Sequence, residues 1–189
     1  MSRLKVGVIG AGAWGRNHVR TLSTLPGADL VAVCDASSAT RDKLGRQYPG
    51  VTVTDDAATL LGMVEGVVIA TPATTHADVA RQAIAAGVPA LVEKPFALNV
   101  RDAEDLAERA DKAGVPIMAG HLLEYHPVVE RLRELIVSGT LGQIYYLYGQ
   151  RVNLGQVRPD ENALWSFGPH DVSVALFLMG AAPVTVSAV

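Results

Sequence analysis

Four short apolar runs constrain this chain more than anything else in it: "LKVGVIG" from Leu4, "DLVAVCD" from Asp29, "GVVIATP" from Gly66 and "PALVEKP" from Pro89. Each is nearly continuous rather than alternating, the mark of a strand covered on both faces. Stretches with helical spacing separate them. Trp14, Val19, Leu22 and Leu25 precede a stop at Pro26-Gly27. A helix is expected over about 38–47, then a short strand at "VTVT" and a short helix opened by Asp55-Asp56. Thr75 is placed to cap a helix with Val79, Ala80, Ala83 and Ile84 on its apolar face and Gly87 at its stop. Asn99 is placed to cap another, with Ala103, Leu106, Ala107 and Ala110 inward, and "VPIMAG" is a sixth strand. Strands alternating with helices predict right-handed βαβ units and a doubly wound parallel sheet over residues 1–120, an α/β fold.

The rhythm changes at residue 121. "HPVVERLRELIVSG" is an amphipathic helix, "QIYYLYGQRVN" reads as β, and "RPDENALWSFG" reads as a polar loop. "PHDVSVALFLMG" is expected to be a helix that starts at Pro169, and "PVTVSAV" starts a strand and stops. Residues 121–189 therefore read as an incomplete α+β domain, with the C-terminal part of the sheet cut off.

Composition excludes several functions. The 189 residues are 49% hydrophobic and 19% charged, with net charge −3. No basic block or aromatic-basic interleaving invites nucleic acid, and no apolar run approaches the ~20 residues needed to span a bilayer. The start "MSRLKVGVIG" has no signal-peptide pattern. The one cysteine, Cys34, sits inside an apolar run and reads as a small buried hydrophobe. Together these point to the cytoplasm.

The first strand runs directly into "GAGAWG", which supplies Gly10, Gly12 and Gly15 as G-x-G-x-x-G, with Ala13 and Trp14 between them. Here the pattern follows a buried-type strand and opens a helix, the context of a Rossmann-type dinucleotide site. Gly10 allows the tight turn, Gly12 the approach of a pyrophosphate, and Gly15 close packing of helix on sheet. The helix N-terminus offers N–H groups to phosphates. Asp35 ends the second strand twenty residues after Gly15, where a carboxylate accepts both hydroxyls of an adenosine ribose and repels a 2′-phosphate. NAD is therefore favoured, and Ser37, Ser38 and Arg41 keep NADP open. Trp14 is either a cofactor contact or a staple on its helix. Thr71 and Pro72 in "TPATTH" fall at the carboxyl edge of the sheet, where open α/β folds bind ligands; His76 reads as a helix-start residue satisfied locally or as part of the site.

GAGAWG, Asp35, TPATTH and above all "EKP" after the fifth strand, together with "GHLLEYHP" and "GPHD", resemble the Gfo/Idh/MocA oxidoreductase family over nearly the whole chain. The resemblance implies an N-terminal NAD(P)-binding Rossmann domain and a C-terminal α+β domain. In the family that second domain completes the substrate site and commonly makes the oligomer interface, so a homo-oligomer is expected at full length. It also implies oxidation or reduction of sugars, inositols or nucleotide-sugars, and "GHLLEYHP" and "LWSFGPHDVS" look most like members acting on UDP- or dTDP-linked sugars. By position, Lys94 matches the lysine that assists proton transfer, and His170 the histidine of the D-x-G-x-H stretch. Tyr125 and His126 fall where substrate contacts precede a proline. One departure stands out: Ser166 occupies the place of the acid four residues before the histidine, though Asp171 is adjacent.

Taking a hydride from a carbinol carbon leaves a hydroxyl proton for a base within hydrogen-bond reach. Lys94 can hold that oxygen, with Glu93 as its counter-charge, and Pro95 makes the preceding bond a candidate for cis. His170, expected beside a helix start, would be kept neutral there. Arg131, Arg133 and Arg151 are candidates for a pyrophosphate pocket near Tyr125. The alternatives are an inositol or free-sugar dehydrogenase, and an NAD(P)-binding regulator without catalysis.

Overall fold

The structure, a computed structural model, describes residues 3–152 and 162–187. It divides into two compact units, residues 1–120 and 121–189.

The first unit runs β1 (Leu4–Ile9), α1 (Gly15–Leu22), β2 (Ala28–Cys34), α2 (Ser38–Gln47), β3 (Thr52–Thr54), α3 (Ala57–Leu61), β4 (Gly66–Ile69), α4 (His76–Ala85), β5 (Ala90–Val92), α5 (Val100–Ala113) and β6 (Ile117–Ala119). The six strands form one parallel sheet in the order β3-β2-β1-β4-β5-β6. This is the Rossmann order, and the winding reverses between β1 and β4. Both faces are covered, as the continuous apolar runs require. Val8, Val33 and Val68 face α1 and α2 through Val19 and Leu44. Their strand neighbours Ile9, Cys34, Val67 and Ile69 face α3, α4 and α5 through Leu61, Ala80, Ile84 and Leu106. Alternation within each run thus assigns residues to two cores rather than to core and water.

Caps set most helix starts. Ser37 accepts from the Thr40 N–H, Asp56 from Ala58 and Thr59, and Asn99 from Asp102. Thr75 differs from expectation: its hydroxyl bonds the Pro72 carbonyl instead of capping α4. α1 ends at Leu22, so Leu25 lies past it.

The second unit contains α6 (Pro127–Val137) and α7 (Ala163–Met179), which pack together. His126 caps α6 through Val128 N–H, with Pro127 at the first helical position. Three expectations change here. α7 begins at Ala163, because the Asn162 side chain accepts from the Trp165 N–H; the stretch from Ala163 expected to be loop is helical. Pro169 therefore lies inside the helix, at the cost of one i→i−4 hydrogen bond. Residues 143–152 form no strand, and neither do residues 183–187; Asn153 of the first stretch, residues 188–189 of the second and residues 158–161 of the expected loop lie outside the described residues. Branched and aromatic residues favour a strand only where a partner strand pairs with it. Among the described residues of this unit none does, and Tyr145, Tyr146 and Tyr148 are all more than 80% exposed, at 83%, 81% and 81%. No helix among the described residues is long and apolar enough to cross a membrane.

Candidate active site

Three loops leave the carboxyl ends of β1, β4 and β5, adjacent strands on either side of the reversal. The first carries Gly10, Gly12, Ala13 and Trp14. Gly10 has φ +88°, and a Cβ there would lie 2.6 Å from the Thr71 nitrogen, so the β1 and β4 loops touch backbone to backbone. A Cβ on Gly15 would overlap the Gly10 carbonyl oxygen, which is how closely α1 sits on the turn. Gly12 is different: a Cβ there would meet nothing within 4 Å. Among the described residues, the N–H groups of Gly12, Ala13 and Trp14 make no hydrogen bond within the chain. Open space beside undirected donors at a helix start fits a diphosphate.

Asp35 is half-buried just past β2. Its Oδ2 accepts from Ala11 N–H at 2.7 Å and its Oδ1 from Ser37 N–H at 2.9 Å. The carboxylate is thereby fixed against the glycine turn, and each oxygen keeps a second lone pair. Arg41 turns away to donate to the Asp35 and Ala36 carbonyls and to pair with Asp55 at 3.2 Å. Cys34 is buried as expected. Burial, reinforced by Asp35, Asp56 and Asp55, pushes its thiol up to about 11, so it carries no thiolate chemistry.

Glu93 is 6% exposed and holds more than Lys94. Its Oε1 accepts from the Trp14 indole at 2.6 Å and lies 2.7 Å from His18 Nε2, while its Oε2 accepts from the Lys94 N–H at 3.1 Å. Trp14 is thus tied across 79 residues to the β5 loop. His18, which the sequence did not single out, completes the cluster from α1. Burial pushes the Glu93 carboxyl up, but the bonds from His18, Trp14 and Lys94 N–H outweigh it and hold it below the usual carboxylate range. A depressed folded-state value means the stabilisation is present above the unfolded value and lost as pH falls through the folded one. Glu93→Gln is therefore expected to lower stability at pH 7 by about 1–3 kcal/mol, with the deficit shrinking on acidification below about pH 4. Melting curves of both proteins across pH 3–8 check this; a deficit independent of pH would contradict it.

Lys94 is half-buried, its bond to Pro95 is cis, and Pro95 is buried. Thr71 and Pro72 form the β4 loop. His76, at the start of α4, is 1% exposed, with Nδ1 2.8 Å from the Pro95 carbonyl and Nε2 2.8 Å from the Thr71 carbonyl. His76 thus lies between the backbone carbonyls of two loops of the site.

In the second unit His170 lies more than one turn inside α7, after Pro169. The expectation that a helix start keeps it neutral is corrected, since the end effect fades within the first turn. Ser166 is four residues before it on the same face. Asp171 is held by Arg151, with Nε 2.9 Å and Nη2 2.7 Å from Oδ1. Arg133 donates to the Leu178 carbonyl and stands 5.8 Å over the Phe177 ring, closing the C-terminus of α7. Arg131 pairs with Glu134. Each of the three arginines is thus engaged by a partner of its own. Tyr125 is 62% exposed. A cavity of about 360 Å³ is lined by His121, Glu124, Pro169, Ser173 and Phe177.

Residues 4–121 match the model of an oxidoreductase family described by its NAD-binding Rossmann fold, the Gfo/Idh/MocA family. A UDP-N-acetylglucosamine 3-dehydrogenase of Acidithiobacillus ferrooxidans is 33% identical over all of this chain and 58% of its own length. Inositol 2-dehydrogenase 2 of Saccharopolyspora erythraea is 30% identical over 98% of this chain and 56% of its own. The crystal structure of GenD2 from gentamicin A biosynthesis in complex with NAD superposes with a TM-score of 0.81 at 30% identity, covering 95% of this chain and 54% of that one. The chain spans about half the length of the curated relatives it matches.

Proposed function

This chain belongs to the Gfo/Idh/MocA oxidoreductase family, and from that premise we propose that it serves an NAD-dependent dehydrogenase that moves a hydride between the nicotinamide and a hydroxyl or carbonyl of a sugar or nucleotide-sugar. Its first unit is an NAD-binding Rossmann domain. The observation that carries the reading is the convergence of three loops on one sheet edge: the glycine turn, Thr71-Pro72 and Glu93-Lys94. When bound, NAD supplies the hydride acceptor. Gly12, Ala13 and Trp14 N–H groups take the diphosphate, and Asp35 takes the adenosine ribose. Thr71, Pro72, His76 and Glu93 shape the wall around the cofactor. Lys94 would bind the substrate oxygen and help move its proton when a carbinol is oxidised to a carbonyl. In the second unit, His170 and Tyr125 are the residues that the family resemblance marks for the substrate.

NAD is preferred over NADP because a 2′-phosphate would face the Asp35 carboxylate. Asp35→Ala is expected to reduce the preference about tenfold or more, the scale of a lost charge-assisted hydrogen bond. Titrations of both nucleotides check this; NADP binding as tight as NAD by the unmodified protein would overturn it. One observation favours an inositol or free sugar over a nucleotide-sugar: Arg131, Arg133 and Arg151 are each engaged elsewhere. Turnover of a substrate panel by the full-length enzyme decides between them.

A further inference from the structure

His76 is the one wholly buried histidine among the described residues, and no proton-transfer step above uses it. Its ring lies between two backbone carbonyls, Thr71 after β4 and Pro95 after β5, each at 2.8 Å. A carbonyl oxygen only accepts, so a ring nitrogen bonds it only as N–H. No backbone ladder joins the loops themselves: β4–β5 pairing ends at Ile69 and Val92, and the Glu93 N–H bonds Ile69 O. Thr71 lies two residues past Ile69 and Pro95 three residues past Val92. Beyond the strands, the imidazole ring lies between the two loops.

We propose that His76 is a positioning residue that fixes the backbone of Lys94 by donating from Nδ1 to the Pro95 carbonyl. Nε2 lies 2.8 Å from the Thr71 carbonyl, so the same ring also sits against the β4 loop. Glu93 holds the same loop from the opposite direction, through α1. Lys94 is thereby gripped on both sides, by its own N–H to Glu93 Oε2 and by the next residue's carbonyl to His76. This inference rests on the reading of Lys94 as a site residue.

Two substitutions of similar size separate hydrogen bonding from filling. The Asn amide nitrogen falls near the place of Nδ1, and the Gln amide nitrogen near that of Nε2. His76→Asn is expected to keep amide exchange over residues 93–97 within about threefold of the unmodified protein, whereas His76→Gln raises it about tenfold or more, the scale of one hydrogen bond. In the full-length enzyme His76→Gln should lower kcat about tenfold more than His76→Asn, with NAD affinity nearly equal in the two. Equal behaviour of the two variants in both measurements would reduce His76 to a space-filler. Should neither variant fold, the unmodified protein decides: a slowly exchanging Nδ1-bound proton on His76 is expected in a nitrogen–proton correlation spectrum, and an unprotonated Nδ1 overturns the proposal. An unmodified protein that binds no NAD would defeat the proposed function, while the exchange comparison would still decide the role of His76.

Discussion

Lys94→Ala in the full-length enzyme is expected to fold and bind NAD nearly as before, with turnover reduced by about 10²-fold or more, the scale of a positioned acid–base group. The backbone contacts explain the first half. Glu93 accepts from the Lys94 main-chain N–H and His76 reaches the Pro95 carbonyl, so the loop is held without the lysine side chain. Losing the ammonium leaves both of these backbone contacts in place. A surface role would be a weak ion pair of about 0–1 kcal/mol, and the variant would then turn over normally. Single-turnover kinetics on the variant, with NAD affinity measured alongside, separate the two. Unchanged turnover would remove Lys94 from the mechanism.

The glycine turn offers a contrast of similar size. Gly15→Ala places a methyl group on the Gly10 carbonyl oxygen and 2.8 Å from its carbon, both backbone atoms that cannot swing aside. The turn or the helix has to move, and a loss of about 2–4 kcal/mol with NAD binding down about 10²-fold is expected. Gly12→Ala meets no protein atom within 4 Å. It should melt within a degree or two of the unmodified protein and still bind NAD weakly, because the methyl occupies the space kept for the diphosphate. Calorimetric melting with and without NAD reads both variants. A Gly12→Ala protein with normal NAD affinity would mean that the diphosphate does not approach there.

The first unit was legible because its signals are local. Short unbroken apolar runs, rich in valine and bounded by turn residues, read as strands covered on two faces, and Asn99 and Asp56 cap the helices expected of them. The position of Lys94 at the carboxyl edge of the sheet followed from where the run "PALV" stops. What stayed hidden depends on residues far apart in sequence. Nothing near His18 announces a bond to a carboxylate 75 residues on. Nothing near His76 says that its second partner follows β5. In the second unit local signals misled. Pro169 looked like the first residue of a helix, but Asn162 caps it earlier. "QIYYLYGQRV" has the side chains of a strand, and side chains do not make one without a neighbour. Asp171 is adjacent to His170 in the sequence, and nothing near it announces that the guanidinium of Arg151, twenty residues before it, holds it.

The order of the strands also bears on how the chain acquires its structure during synthesis. β1 lies in the interior of the sheet, and its second neighbour, β4, begins sixty positions later, with Val6 beside Gly66. As the chain leaves the ribosome, β1 can pair with β2 almost at once, through Leu4 beside Ala28. Its other edge then waits through the synthesis of α2, β3 and α3. At about 5–20 residues per second that interval is several seconds, long compared with the microseconds to milliseconds of local helix formation and collapse. During it the Gly-Val-Ile edge of β1 is an open template for any passing strand. The same topology that gathers the three loops at one edge thus makes the nascent chain most vulnerable to aggregation just before Gly66 emerges, and a pause in translation there should lower the yield of folded protein.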